Sequence, residues 1–169
     1  LLPKYRGASP IQESLLNDDS YTGITSMLME EGLDSGDILG FQYLKITSTM
    51  EVSEAFDKLS QIAAKLTITT LDNFENIKPL KQNDSEVSFC KKIKKEDGLI
   101  SFEQSAESIG IQYKALSPWP GIFLESGLKL LDLAVCDHHE NAVSGIIKEI
   151  KSEGIIVTCK TGSLLLKTL

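Results

Sequence analysis

No stretch of eighteen apolar residues occurs in this 169-residue chain, so it offers no candidate helix for crossing a bilayer. Nor does it open with a basic-then-apolar stretch of the signal type. The expectation is a soluble, cytoplasmic protein with no membrane partner. Cysteine is scarce: Cys90, Cys136 and Cys159 are odd in number and lack metal-ligand spacing, which argues against a disulfide framework or a thiolate zinc site. Reduced thiols, buried as small hydrophobes, are the simplest account. Histidine is scarcer still. His138 and His139 are adjacent, so in a strand they point to opposite sides and cannot readily share a metal. No metal is expected, because a zinc site needs three or four convergent ligands.

Positive charge is also in deficit. The formal net charge is −7, which taken alone argues against nucleic acid. Its distribution softens that reading. Residues 1–77 carry a balance of −7 and residues 103–169 a balance of −2, whereas residues 78–102 carry six lysines against four acids. The island of Lys78, Lys81, Lys91, Lys92, Lys94 and Lys95 suits either phosphate contacts or a solvated face. Charged and apolar fractions are otherwise those of a globular protein. The chain starts Leu1-Leu2-Pro3 without methionine and finishes in an apolar run from Leu164, so both ends read as cut.

What is present organises into an α/β half and a mostly β half. Ser9-Pro10-Ile11-Gln12 is a helix start, with Ser9 as N-cap, Pro10 at the first helical position and Gln12 closing a capping box. That helix is expected to end near Asn17-Asp18. Strands are expected at 22–29 and 38–46, with a glycine-rich loop between them. Apolar residues at helical spacing from Val52 to Phe74 predict one long helix or two short ones. Lys78 to Asp84, containing Pro79, reads as a polar linker, and 87–93 as a short strand. A helix over 105–116 should present Ala106, Ile109, Tyr113 and Leu116 on one face, stopped by Pro118-Trp119-Pro120-Gly121. Trp119 reads most simply as a packed corner. Beyond it, strands at 128–135, 143–150, 155–160 and 163–168 alternate with glycine turns, a spacing that predicts a small barrel.

The richest chemical segment is Met29-Glu30-Glu31-Gly32-Leu33-Asp34-Ser35-Gly36-Asp37. Carboxylates among glycines on an inter-strand loop suit a site, because glycine lets the backbone approach a ligand. Asp34 and Asp37 could pair with a histidine or a metal; equally, they could be turn residues bonding their own backbone. The stretch Leu1-Leu2-Pro3-Lys4-Tyr5-Arg6-Gly7 is an irregular, basic-aromatic loop, and Gly7 after Arg6 suggests a backbone turn near a ligand or partner.

Four motifs in order then resemble the methionyl-tRNA formyltransferase family. They are Leu1 to Gln12; Thr22-Gly23-Ile24-Thr25 with the loop Met29 to Asp37; Lys92-Ile93-Lys94-Lys95-Glu96-Asp97; and Pro118-Trp119-Pro120-Gly121 followed by Phe123. Ser35 stands where that family usually has threonine, and Ser101-Phe102 replaces a frequent Asp-Trp. The resemblance implies part of a Rossmann-like formyltransferase catalytic domain at 1–77, a linker at 78–86, and a C-terminal OB-like β-barrel domain with one helix at 87–169.

It further implies formyl transfer from 10-formyltetrahydrofolate to the amino group of methionyl-initiator tRNA. Such a reaction passes through a tetrahedral intermediate, needing an oxyanion donor, a group to take the amine proton, and a carboxylate to orient that group. The resemblance assigns the first two roles to an Asn and a His upstream of Leu1 and the third to Asp34. It places the folate pocket at Leu1, Leu2, Pro3, Glu31, Gly32 and Leu33, and sets Lys92 and Lys95 toward the tRNA. The parent is expected to be a monomer. The truncated chain is expected to be inactive alone and to expose an aggregation-prone sheet edge. Two alternatives stay open: a related enzyme formylating a sugar nucleotide or purine precursor, and a non-catalytic tRNA-binding fragment.

Overall fold

A computed structural model describes residues 1–137 and 143–168, so the histidine pair lies outside the described residues. The chain divides into two compact units, Leu1–Ile93 and Lys94–Leu169.

The first unit is built on an antiparallel hairpin of β2 (Tyr21–Met27) and β3 (Ile38–Lys45). Helix α1 (Pro10–Leu16) precedes the hairpin, and α2 (Val52–Asp72) follows it and lies across both strands. The apolar period of the sequence becomes one uninterrupted helix of 21 residues, not two. Val52, Ala55, Leu59, Leu66 and Thr70 form its buried stripe, spaced three, four, seven and four residues apart. On the opposite face Lys58 meets Glu54 at 2.6 Å, one helical turn away.

Helix α1 departs from the expected capping box. Pro10 does occupy the first turn, but the Ser9 side chain makes no cap bond. Its hydroxyl instead accepts the Ile93 N–H at 3.2 Å, a long-range bond that wins over the local one. The segment expected to be a polar linker is bonded to the hairpin as well. Leu80 exchanges both backbone hydrogen bonds with Ile38 at the start of β3, at 2.8 and 2.9 Å. The short strand β4 (Phe89–Cys90) then pairs in parallel with β1 (Arg6–Gly7).

In the second unit α3 (Ala106–Leu116) begins at Ser105, whose hydroxyl accepts the Ser108 N–H at 3.1 Å. Ala106, Ile109 and Leu116 are buried as their spacing predicts, and Tyr113 sends its hydroxyl to the Leu131 carbonyl at 3.2 Å. The strands β5 (Ile122–Phe123) and β6 (Lys129–Leu130) form a small hairpin. The remaining strands β7 (Asp132–Asp137), β8 (Ile147–Lys151), β9 (Gly154–Thr158) and β10 (Ser163–Thr168) make one antiparallel sheet in the order β7-β10-β9-β8. The α/β-then-β reading therefore stands. Among the described residues the sheet does not close into a barrel: β7 and β8 are its edges, and every residue of β8 is exposed.

Two side-chain expectations are corrected. Trp119, in the turn that follows α3, is 60% exposed and not in a packed corner. Cys90 and Cys159 are buried and free, but Cys136 is exposed. Burial pushes the Cys159 thiol up to about 11.

These contacts rank the faces of α2. Leu59 is 1% exposed, so Leu59→Ala should destabilise the protein by about 2–5 kcal/mol in urea denaturation. Lys58→Ala, which breaks only the exposed ion pair, should cost less than about 1 kcal/mol.

Candidate active site

The loop joining β2 to β3 has no helix or strand of its own, so individual contacts within it and from outside must set its shape. Its neck is closed by the Leu28 N–H, which donates to the Asp37 carbonyl at 2.9 Å. Gly36 makes that closure possible: a Cβ there would lie 1.7 Å from the Leu28 carbonyl oxygen. Asp34 turns the chain in the left-handed region at φ 49°, a conformation aspartate tolerates better than most residues.

Asp34 is then gripped from two directions. Its Oδ2 accepts the backbone N–H of Gly7 at 2.8 Å. Its carbonyl accepts from Gln82 Nε2 at 2.8 Å, and the same amide nitrogen donates to the Gly36 carbonyl at 2.7 Å. On the other side Gln82 Oε1 accepts from Arg6 Nε at 3.2 Å and Nη2 at 2.9 Å. This amide has only one workable orientation. Arginine can only donate and a carbonyl can only accept, so the oxygen must face Arg6 and the nitrogen the loop. Arg6 and Gln82 are each only 8% exposed.

The opposite wall is the irregular segment 1–9, fixed mainly through β4 and Ser88 just before it. The Arg6 N–H reaches the Ser88 carbonyl at 2.8 Å, and the Tyr5 N–H reaches Ser88 Oγ at 2.9 Å. Gly7 sits at φ 131°, and a Cβ there would meet the Cys90 carbonyl oxygen at 2.4 Å. Only glycine fits there. Cys90 is more than a small hydrophobe: its Sγ donates to the Tyr5 carbonyl at 3.2 Å and accepts the Ser9 N–H at 3.3 Å. The Tyr5 phenol donates to Asp19 Oδ2 at 2.8 Å; burial, then that bond, hold the phenol above its ordinary range.

Between these walls lies a cleft of about 240 Å³. Leu1, Leu2, Tyr5, Ile11 and Met27 give it apolar walls, and Asp34 and Lys4 bring opposite charges to its lining. Thr25 also lines it, and its buried Oγ1 has no hydrogen-bond partner among the described residues. Apolar walls beside one anchored carboxylate suit a largely apolar ligand whose reacting end is polar.

The structure thus brings Leu1, Leu2 and Asp34 to one cleft. Pro3 lines a neighbouring hollow of about 360 Å³ that shares Leu1 and Leu2. Glu31, Gly32 and Leu33 stand exposed at the loop tip, outside both linings. Lys92 is exposed in the first unit, and Lys95 is exposed in the 3-10 turn Lys95–Gly98 of the second. Among the described residues no group of three or more His, Cys, Asp or Glu could hold a metal ion. Sequence reasoning missed Gln82 altogether. A lone glutamine in a polar stretch has no local signature, and only the fold shows which carbonyls it meets.

Comparison with known proteins bears on this arrangement. Residues 1–71 match the formyl transferase family model, and residues 92–169 match the model of the formyl transferase C-terminal domain. A methionyl-tRNA formyltransferase from a Nitratiruptor species is 48% identical over 168 residues, 99% of this chain and 55% of that protein. Another methionyl-tRNA formyltransferase, from Campylobacter lari, is 51% identical over the whole chain and 55% of its own length. The chain spans about half the length of the curated relatives it matches. The fold is shared with an N-formyltransferase of Helicobacter canadensis solved with folinic acid and dTDP-3-aminofucose, at TM-score 0.78 and 18% identity, covering 99% of this chain and 63% of that one. It is shared too with HypX of Aquifex aeolicus in complex with tetrahydrofolic acid, at TM-score 0.74 and 16% identity, over 97% of this chain and 29% of that one. With both of its segments matched and half of its residues identical to such relatives, the chain belongs to the formyl transferase family.

Proposed function

We propose that the full-length protein carrying this chain transfers the formyl group of 10-formyltetrahydrofolate to the amino group of methionyl-initiator tRNA. One observation carries the reading: identity of about half the residues with methionyl-tRNA formyltransferases runs the whole length of the chain. The sugar-directed N-formyltransferase shares the fold at 18% identity only.

In this proposal the amine lone pair attacks the formyl carbon, a C–N bond forms, and the carbonyl oxygen takes up negative charge. The base takes the amine proton, and collapse of the tetrahedral intermediate breaks the bond to the folate nitrogen, which takes that proton from the base and leaves as the N–H of tetrahydrofolate. Asp34 is the carboxylate that orients that base and steadies the charge it gains. The resemblance assigns the oxyanion and the base to an Asn and a His upstream of Leu1. What supports the role of Asp34 is its geometry, a carboxylate on a cleft wall tied at 2.8 Å to a backbone N–H. Leu1 and Leu2 are proposed as apolar contacts of the folate, with Pro3 beside them and the backbone of Glu31, Gly32 and Leu33 closing over its ring. The cleft of about 240 Å³ falls below the roughly 300–1,000 Å³ of complete ligand pockets, so it fits one part of the co-substrate.

Residues 1–77 are proposed as the end of the catalytic domain, 78–86 as the connector and 87–169 as the C-terminal domain that meets the tRNA, a division along the chain in which the stretch up to Ile93 packs with the first compact unit. The OB-like barrel belongs to this proposal. Closely spaced antiparallel strands beside a single helix support it. Lys92 and Lys95 are the proposed phosphate contacts, both exposed in the basic stretch.

The direct test is formyl transfer from 10-formyltetrahydrofolate to methionyl-tRNA by the full-length protein, with and without Asp34→Asn. Asparagine tolerates the left-handed turn and leaves the loop intact. It should lower kcat by roughly 10³–10⁴, as expected when a base loses its orienting carboxylate. Formylation of an amino-sugar nucleotide in place of methionyl-tRNA would overturn the substrate assignment. Separately, Lys92→Ala with Lys95→Ala should flatten the dependence of tRNA affinity on salt, lowering the log–log slope by about one to two. An unchanged slope in filter binding would remove both lysines from the interface.

A further inference from the structure

Asp34 carries the proposed chemistry, and the bonds described to it come from outside its own loop, from Gly7 and Gln82. The left-handed turn at Asp34 leaves the carbonyls of Asp34 and Gly36 on the same side, where one side chain serves both. We propose that Gln82 is a positioning residue for Asp34: with Arg6, it clamps the loop so that the carboxylate stays on the cleft wall. The proposal rests on the reading of Asp34 as the base-orienting carboxylate.

Three features of the geometry argue for a device and not an incidental contact. First, the amide is saturated: two donors of Arg6 on its oxygen, two loop carbonyls on its nitrogen. Second, Gln82 is the neutral partner given to a guanidinium only 8% exposed, so the positive charge polarises the amide and strengthens its N–H donation to the loop. Third, the clamp and the carboxylate share a strand. Arg6 holds Gln82 through its side chain, and its neighbour Gly7 holds Asp34 Oδ2 through its backbone. A shift of β1 therefore moves both grips on Asp34 together. Gln82 itself is carried by the stretch that Leu80 ties to β3 at Ile38, at the far neck of the same loop.

Gln82 does not line the cleft, so it acts through Asp34 and not on substrate. Removing it should lower kcat and leave substrate binding nearly untouched. The informative variant is Gln82→Glu. Equal in length, it still accepts from Arg6, but it cannot donate to either carbonyl.

The experiment is steady-state formyl transfer to methionyl-tRNA by the full-length protein, comparing Gln82→Glu, Asp34→Asn and the double variant. Gln82→Glu should cost about 10²-fold in kcat, the scale of a small misplacement of a reacting group. KM for both substrates should stay within about twofold. In the Asp34→Asn background the same change should cost less than about twofold, since residues acting as a unit are not additive. Leu59→Ala serves as the control for plain destabilisation, lowering the unfolding midpoint without changing kcat of the folded fraction. Gln82→Asn, which keeps the amide but falls one methylene short, repeats the test should Gln82→Glu fail to fold.

The proposal is overturned if Gln82→Glu keeps the original kcat while Asp34→Asn loses it. It is equally overturned if Gln82→Glu costs its full factor again in the Asp34→Asn background, which is the mark of a structural role independent of Asp34. Full activity of Asp34→Asn would instead bring down the reading of Asp34, and the clamp with it.

Discussion

A backbone N–H at Gly7 meets the Asp34 carboxylate at 2.8 Å, joining two stretches of chain 27 residues apart. The bond needs Gly7 at φ 131°, with its Cα pressed so closely on Cys90 that no side chain fits. It also needs β1 and β4 to pair, because that pairing is what brings Gly7 into place. Hydrogen bonds to a charged group contribute about 1.5–3 kcal/mol, more than a neutral pair, so this contact can hold an otherwise irregular loop. The Arg6–Gln82 pair grips the same loop from its carbonyl side, so the two sets of bonds together hold Asp34 on the cleft wall.

The stripe from Val52 to Thr70 stabilises the hairpin as a whole by laying α2 on it. The Leu80–Ile38 bridge and the Ser9–Ile93 bond tie the 80–93 stretch down at both ends. An apparent linker thereby becomes part of the site's frame. Sites mounted on such supports hold their geometry better than loops standing alone.

Much of this was legible in the residues, and the exceptions share one cause. Periodicity located α2 and α3, and glycine spacing located the loop around Asp34 and the later strands. The resemblance picked out Asp34 and set it beside Leu1 and Leu2, which the fold brings to one cleft. Local rules failed where a distant partner competed. Ser9 reads as a capping residue but gives its hydroxyl to Ile93, and Gln82 reads as solvated linker but is buried against Arg6. Such pairings are set by topology, which no window of sequence contains.

The central claim, that the Gly7 N–H anchors the Asp34 carboxylate, can be measured at the bond itself. Hydrogen exchange of the glycine amides would be followed by NMR in the full-length protein labelled with ¹⁵N-glycine, with and without Asp34→Gly. Glycine keeps the left-handed turn and removes the acceptor. The account predicts that Gly7 exchange accelerates by at least about tenfold, matching the loss of a charged hydrogen bond, while the other glycines outside the loop keep their rates. A Gly7 amide equally protected in both proteins would contradict it.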